Sequence, residues 1–205
     1  MKYRAFELER WQSVYEHQVE LNLTESGVHP LLVSELLELA GQERDFLDQV
    51  RLAYSPASGS DDLREKIAAL YPDTTEASVV VTTGGAEANY SACLHLMEPG
   101  IPVAVMLPNY MQVPGIVENS GAPVLPFYLV RKDEWQPDLN QLKDCLDKGA
   151  KLILVTNPNN PTGSILTEDS VSEILNLADQ YGAWILADEV YRGAELTGPE
   201  TPSFW

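Results

Sequence analysis

Four short polar clusters carry the side chains and backbone geometry that chemistry needs. The first is Thr83-Gly84-Gly85-Ala86-Glu87-Ala88-Asn89. Its paired glycines let the backbone turn tightly into a helix. The free N–H groups of that helix start would make an anion site suited to a phosphate; an ordinary tight turn reads the same way. No GxGxxG is present, so a dinucleotide fingerprint is not supported. The second is Pro108-Asn109-Tyr110, where an aromatic ring at a strand's exit can stack on a flat ligand or simply pack. The third, Thr156-Asn157-Pro158-Asn159-Asn160-Pro161-Thr162-Gly163, sets two Asn-Pro steps and a glycine after an apolar run. Such a loop is strongly constrained, its Asn-Pro bonds can be cis, and Asn160 could donate its amide to a ligand oxygen. The fourth is Ala187-Asp188-Glu189-Val190-Tyr191-Arg192-Gly193. A carboxylate that ends an apolar strand is costly without a cationic partner. Asp188 therefore asks for positive charge, which a protonated ring nitrogen would supply, and Tyr191 can offer its hydroxyl to the same ligand.

These clusters can act together only if the chain carries them to one place. From residue 79 onward, strands are predicted over 79–83, 103–107, 124–130, 152–156 and 183–187. Helices are predicted between them over 86–97, 111–120, 138–147 and 168–181. This alternation predicts parallel βαβ units, and the nearly all-apolar runs at 152–155 and 183–187 suit strands buried on both faces. Ligands of an open parallel sheet bind beyond the carboxyl ends of its strands, where all four clusters fall. Upstream, a helix over 6–18 lines up Phe6, Leu8, Trp11, Val14 and Tyr15 on one stripe. A polar connection at 21–30, a helix over 31–40 ended by Gly41, a loop at 54–60 and a helix over 61–70 follow.

In this order the four clusters resemble the class I/II aminotransferases, the fold-type I pyridoxal-phosphate enzymes. The motifs NPNNPTG (157–163) and ADEVYRG (187–193) carry most of the likeness, which runs from about Leu21 to Trp205. The stretch WQSVYEHQVELNLTESGVHPL also looks like a bacterial subgroup that includes amino-acid cyclases of capreomycidine-synthase type. The resemblance implies an α/β fold, a three-layer αβα large domain with a mostly parallel sheet, over 51–205 and incomplete at its C-terminus. Residues 1–50 would be an N-terminal helical segment belonging to the small domain and the substrate-side loop. It implies pyridoxal 5'-phosphate, its phosphate held by the amides of Gly85, Ala86 and Glu87 and its ring stacked on Tyr110. Asn160 and Tyr191 would bond its phenolic oxygen. Asp188 would pair with its ring nitrogen, keeping the ring an electron sink. Tyr54 matches a tyrosine that reaches the phosphate in the other subunit of a homodimer, and Gly27 lies in the loop that borders the substrate. The implied activity moves an amino group between an amino acid and a 2-oxo acid. A pyridoxal-phosphate lyase or amino-acid cyclase, or a non-enzymatic cofactor-binding remnant, are the alternatives.

The family's chemistry also needs a lysine that carries the cofactor as a Schiff base and moves the α-proton. The resemblance puts it a few tens of residues beyond ADEVYRG, past Trp205. The six lysines present (Lys2, Lys66, Lys132, Lys143, Lys148, Lys151) read as solvated charge, so this chain alone is expected to be inactive. The arginines for phosphate and substrate carboxylate are expected in the same missing part. So are two strands that would lie between the strand at 79–83 and the rest of the sheet, and a free-standing chain is therefore expected to aggregate or to be partly unfolded.

Composition narrows the remaining possibilities. Across 205 residues, 13 Lys and Arg face 31 Asp and Glu, a formal net charge of −18. That argues against a nucleic-acid groove or an anionic membrane surface. No apolar run is long enough to span a membrane, and no apolar leader follows the basic start Met1–Arg4. Cys93 and Cys145 form no CxxC and fit a reducing cytosol, so a cytoplasmic protein is expected. His17, His29 and His95 are unclustered, which speaks against a metal site. Cys93, Met106 and Met111 read as packing, and Glu189 with Arg192 as a local ion pair.

Overall fold

The computed structural model describes residues 5–205; the basic start of the chain, with Lys2, lies outside the described residues. Strands β1 (Val103–Leu107), β2 (Val124–Val130), β3 (Gln136–Pro137), β4 (Leu152–Thr156) and β5 (Trp184–Asp188) form one sheet in the order β3-β2-β1-β4-β5. All neighbours are parallel except the short β3, which runs antiparallel to β2.

Alternation along each strand builds two cores, because successive side chains point to opposite faces. Val103 and Val105 of β1, with Leu152 and Leu154 of β4, join Cys93, Val113 and Val117. The latter come from helices α4 (Gly85–Leu96) and α5 (Gln112–Ser120). Ala104, Met106, Ile153 and Val155 go to the other face and meet Leu142, Cys145, Ile174 and Leu177. Those side chains belong to α6 (Leu139–Asp147) and α7 (Glu168–Tyr181). The result is the expected three-layer αβα arrangement around a mostly parallel sheet. Local signals set the helix ends. Asp138 caps α6 by accepting from the Asn140 and Gln141 amides, and the Thr167 hydroxyl caps α7 by accepting from the Ser170 amide. Helix α7 stops at Gly182, whose φ of 57° lies in the left-handed region that ends helices.

Residues 79–83 depart from the sequence reading. They belong to no strand, and Thr83 already lies in a bend. The Val81 amide bonds the Ser58 carbonyl at 2.9 Å, and Arg64 Nε bonds the Val79 carbonyl at 3.0 Å. A β-branched run becomes a strand only when a neighbour takes its ladder bonds, and among the described residues none does. The fifth strand is β3 instead.

Helices α1 (Glu7–Tyr15), α2 (Val33–Leu39) and α3 (Asp61–Ala68) form inside their predicted spans but shorter. No residue between 5 and 50 is buried. Leu8, Trp11 and Val14, the stripe expected to pack, are 48%, 49% and 52% exposed. Met106 and Cys93 are core residues as expected, whereas Met111 is exposed because it sits at the start of α5 outside both cores. No helix of the described residues is long and apolar enough to cross a membrane.

Candidate active site

The strand order reverses direction at β1: the chain steps to β2 on one side, then returns to β4 and β5 on the other. The crevice at the carboxyl ends of β1 and β4 is thus the natural ligand site of this topology. Polar bonds stitch the two loops that leave these strands. Buried Asn109 donates to the Met106 carbonyl at 3.1 Å and accepts from the Thr156 hydroxyl at 2.7 Å. Buried Asn159 donates to the Pro108 carbonyl at 3.2 Å and accepts from the Thr162 hydroxyl at 2.7 Å. Asn157 accepts from the Leu166 amide at 3.0 Å. The Leu107–Pro108, Asn157–Pro158 and Asn160–Pro161 bonds are cis. The sequence reading singled out Asn160. It assigned nothing to the three asparagines that hold the loops.

Asp188 ends β5 half-buried. One carboxylate oxygen accepts from Asn89 Nδ2 at 2.8 Å and the other from the Val190 amide at 3.1 Å. Both donors are neutral, and no ion pair of the described residues includes Asp188. Its charge thus remains available to a cation. Tyr110 is nearby. Burial raises its hydroxyl well above the ordinary tyrosine range, and a hydrogen bond to Glu9 with that carboxylate's charge adds to the shift; Tyr191 and Asp188 contribute less. The Tyr110 ring meets Phe6 edge-on, with centroids 4.9 Å apart. Helix α1 therefore lies against the ring expected to stack on a ligand.

Gly27, Asn160 and Tyr191 line one cavity of about 630 Å³ with Ser26 and Glu195. The Tyr191 and Ser26 hydroxyls are hydrogen-bonded at 2.7 Å. Helix α4 reaches the end of β5 through the Asn89–Asp188 bond. Gly84 holds φ 82°, and a side chain built on Gly84 or Gly85 would meet nothing within 4 Å. The first-turn amides of Gly85, Ala86 and Glu87 have no acceptor within the helix. Glu87 also folds its carboxylate back to accept from the Thr83 amide at 2.6 Å. Tyr54 is fully exposed and makes no contact with this cavity. The Glu189–Arg192 pair does not form. Arg192 pairs with Glu200 at 2.7 Å, and Glu189 accepts from Ser203 and the Phe204 amide. The returning segment 200–204 offers each a better partner than a neighbour on the same turn. Lys151 stands at the amino end of β4, across the sheet from the site, where its amide bonds the Pro102 carbonyl.

The family of aminotransferases class I and II matches residues 26–204. The chain belongs to the class I and II aminotransferases. Human tyrosine aminotransferase is 31% identical over 159 residues, which are 75% of this chain and 35% of that protein. The aspartate/prephenate aminotransferase of Thermus thermophilus is 26% identical over 153 residues, 72% of this chain and 40% of that one. A solved pyridoxal-phosphate-dependent aminotransferase from Streptococcus suis covers 100% of this chain with a TM-score of 0.91 and 29% identity. This chain covers 55% of that structure, and less than half the length of the two curated relatives. These aminotransferase names lend no support to the lyase or cyclase alternative. Membership of the class I and II aminotransferases implies pyridoxal phosphate as the cofactor. This chain's own residues fit it: an open cradle of amides for a phosphate, an aromatic ring at the crevice, and a carboxylate with only neutral donors for a ring N–H.

Proposed function

We propose that this chain is the cofactor-binding part of an aminotransferase that transfers an amino group between an amino acid and a 2-oxo acid. The observation that carries the proposal is Asp188. It is an acid at a strand end, in the crevice of a parallel sheet, held by two neutral donors and paired with no cation of the described residues. When bound, pyridoxal phosphate supplies a ring that draws electrons from the amino acid's α-carbon. Asp188 holds the proton on the ring nitrogen and so keeps that ring electron-poor. The amides of Gly85, Ala86 and Glu87 take the phosphate at the positive end of α4. Tyr110 covers one ring face, and Asn160 with Tyr191 orients the phenolic oxygen. The cavity beside Gly27 receives the amino acid and the 2-oxo acid in turn. Residues 1–50 then serve the substrate side and 51–205 the cofactor side, in a cytoplasmic homodimer where Tyr54 reaches the partner's phosphate.

The test is binding of pyridoxamine phosphate, which needs no lysine. Titration calorimetry should find saturable binding to the parent chain and at least a tenfold loss in Asp188→Ala, since hydrogen bonds to charged groups contribute about 1.5–3 kcal/mol. Equal affinity in the two proteins would remove Asp188 from the site.

A further inference from the structure

We propose that Asn89 is a positioning residue for Asp188, and that through Gln112 it couples this carboxylate to the phosphate end of α4. The proposal rests on the pyridoxal-phosphate reading above. Asn89 is 7% exposed and, with Cys93 one turn later, makes up the buried part of α4. A buried amide is costly unless bonded. Asn89 Nδ2 donates to Asp188 at 2.8 Å and faces Gln112 Oε1 at 3.5 Å. Gln112, the first residue of α5, donates its Nε2 to the Ala86 carbonyl at 2.9 Å. The run Ala86–Gln112–Asn89–Asp188 thus joins the first turn of α4, the start of α5 and the end of β5 through neutral groups.

Two properties follow. A neutral donor satisfies one carboxylate oxygen of Asp188 without supplying a countercharge. Asn89 and the Val190 amide each engage one carboxylate oxygen, which fixes the side chain's orientation and leaves further lone pairs for a cationic N–H. The network also sets a distance. A rigid cofactor that anchors its phosphate on α4 and its ring nitrogen on Asp188 requires these two points at a constant separation. The Gln112–Asn89 link ties them directly rather than through the sheet.

The experiment uses the 205-residue chain with pyridoxamine phosphate carrying an isotope-labelled ring nitrogen, and with inorganic phosphate as a separate probe. Magnetic resonance of the label reports whether that nitrogen keeps its proton. The parent should show a protonated ring at neutral pH. Asn89→Leu, nearly the same size without the donor, should shift the signal to the unprotonated form. It should also weaken pyridoxamine phosphate about tenfold and leave inorganic phosphate unchanged. A protonated ring in folded Asn89→Leu overturns the role of Asn89. If that variant does not fold, Gln112→Leu decides: weaker pyridoxamine phosphate with unchanged inorganic phosphate supports the coupling, and unchanged affinity for both overturns it. Asp188→Asn separates this proposal from its foundation. If the parent ring is protonated only when Asp188 is present and Asn89→Leu changes nothing, the positioning role alone fails. If the parent ring is unprotonated and Asp188→Asn has no effect, the cofactor reading fails with it.

Discussion

The Tyr110 hydroxyl bonds the Glu9 carboxylate, a residue 101 positions away. Burial and that neighbouring acid both disfavour the tyrosinate, so folded Tyr110 holds its proton more tightly than an unfolded tyrosine. The sign of the linkage follows: the associated stability is complete below the ordinary tyrosine value of 10.0 and is lost as pH rises above it. Glu9→Gln should bring the titration part of the way down, with burial accounting for the remainder. Ultraviolet absorbance of tyrosinate measures this, and an unmoved titration would show that Glu9 exerts no pull. Glu195 behaves in the opposite sense. Hydrogen bonds from Thr201, joined by the Gly193 amide, hold its carboxyl down at about 2. Its contribution is complete above the ordinary glutamate range and is lost as pH falls toward 2. Glu195→Gln should flatten the acid limb of a melting-temperature profile. A profile that keeps its slope would assign that limb to other acids.

At the scale of elements, the α7 cap is a compact test of how sequence becomes structure. Thr167→Ala removes the acceptor of the Ser170 amide and should cost about 1 kcal/mol by denaturant melting; no measurable loss would mean that the cap bond is replaced by water. Apolar runs alternating with helix-length segments made the βαβ order from 103 to 188 legible, since strands buried on both faces have little choice of composition. Residues 79–83 misled for the matching reason. Their Val-Val-Val-Thr-Thr composition suits a strand, but ladder partners are not a local property. β3, two residues long, has no periodicity to detect. The loops NPNNPTG and ADEVYRG were legible because proline, glycine and a strand-ending acid are unusual in sequence. Asn89 and Gln112 were missed because one amide on a helix looks like surface. A signal did exist for Asn89: it lies four residues before Cys93, on the face that enters the core.

The whole molecule is a sheet with a core on each side, and its parts are unequal. Its interior begins at Ala68, the first buried residue of the described chain, and the acids Glu9 and Asp188, drawn from opposite ends of the sequence, are held by Tyr110 and Asn89 from its middle. Ile174→Ala, in the core under α7, should cost about 2–5 kcal/mol. A loss below 1 kcal/mol in a denaturant melt would mean that this face is loosely packed. The two cores also happen to hold one thiol each, Cys93 on α4 and Cys145 on α6. Burial pushes Cys93 up to about 11 and raises Cys145 as well, so neither reacts until its own face opens. The chain therefore carries a matched pair of built-in stopwatches. Under a thiol reagent, a shared labelling rate means that the two faces open in one event. Separate rates mean that the sheet's two sides breathe independently.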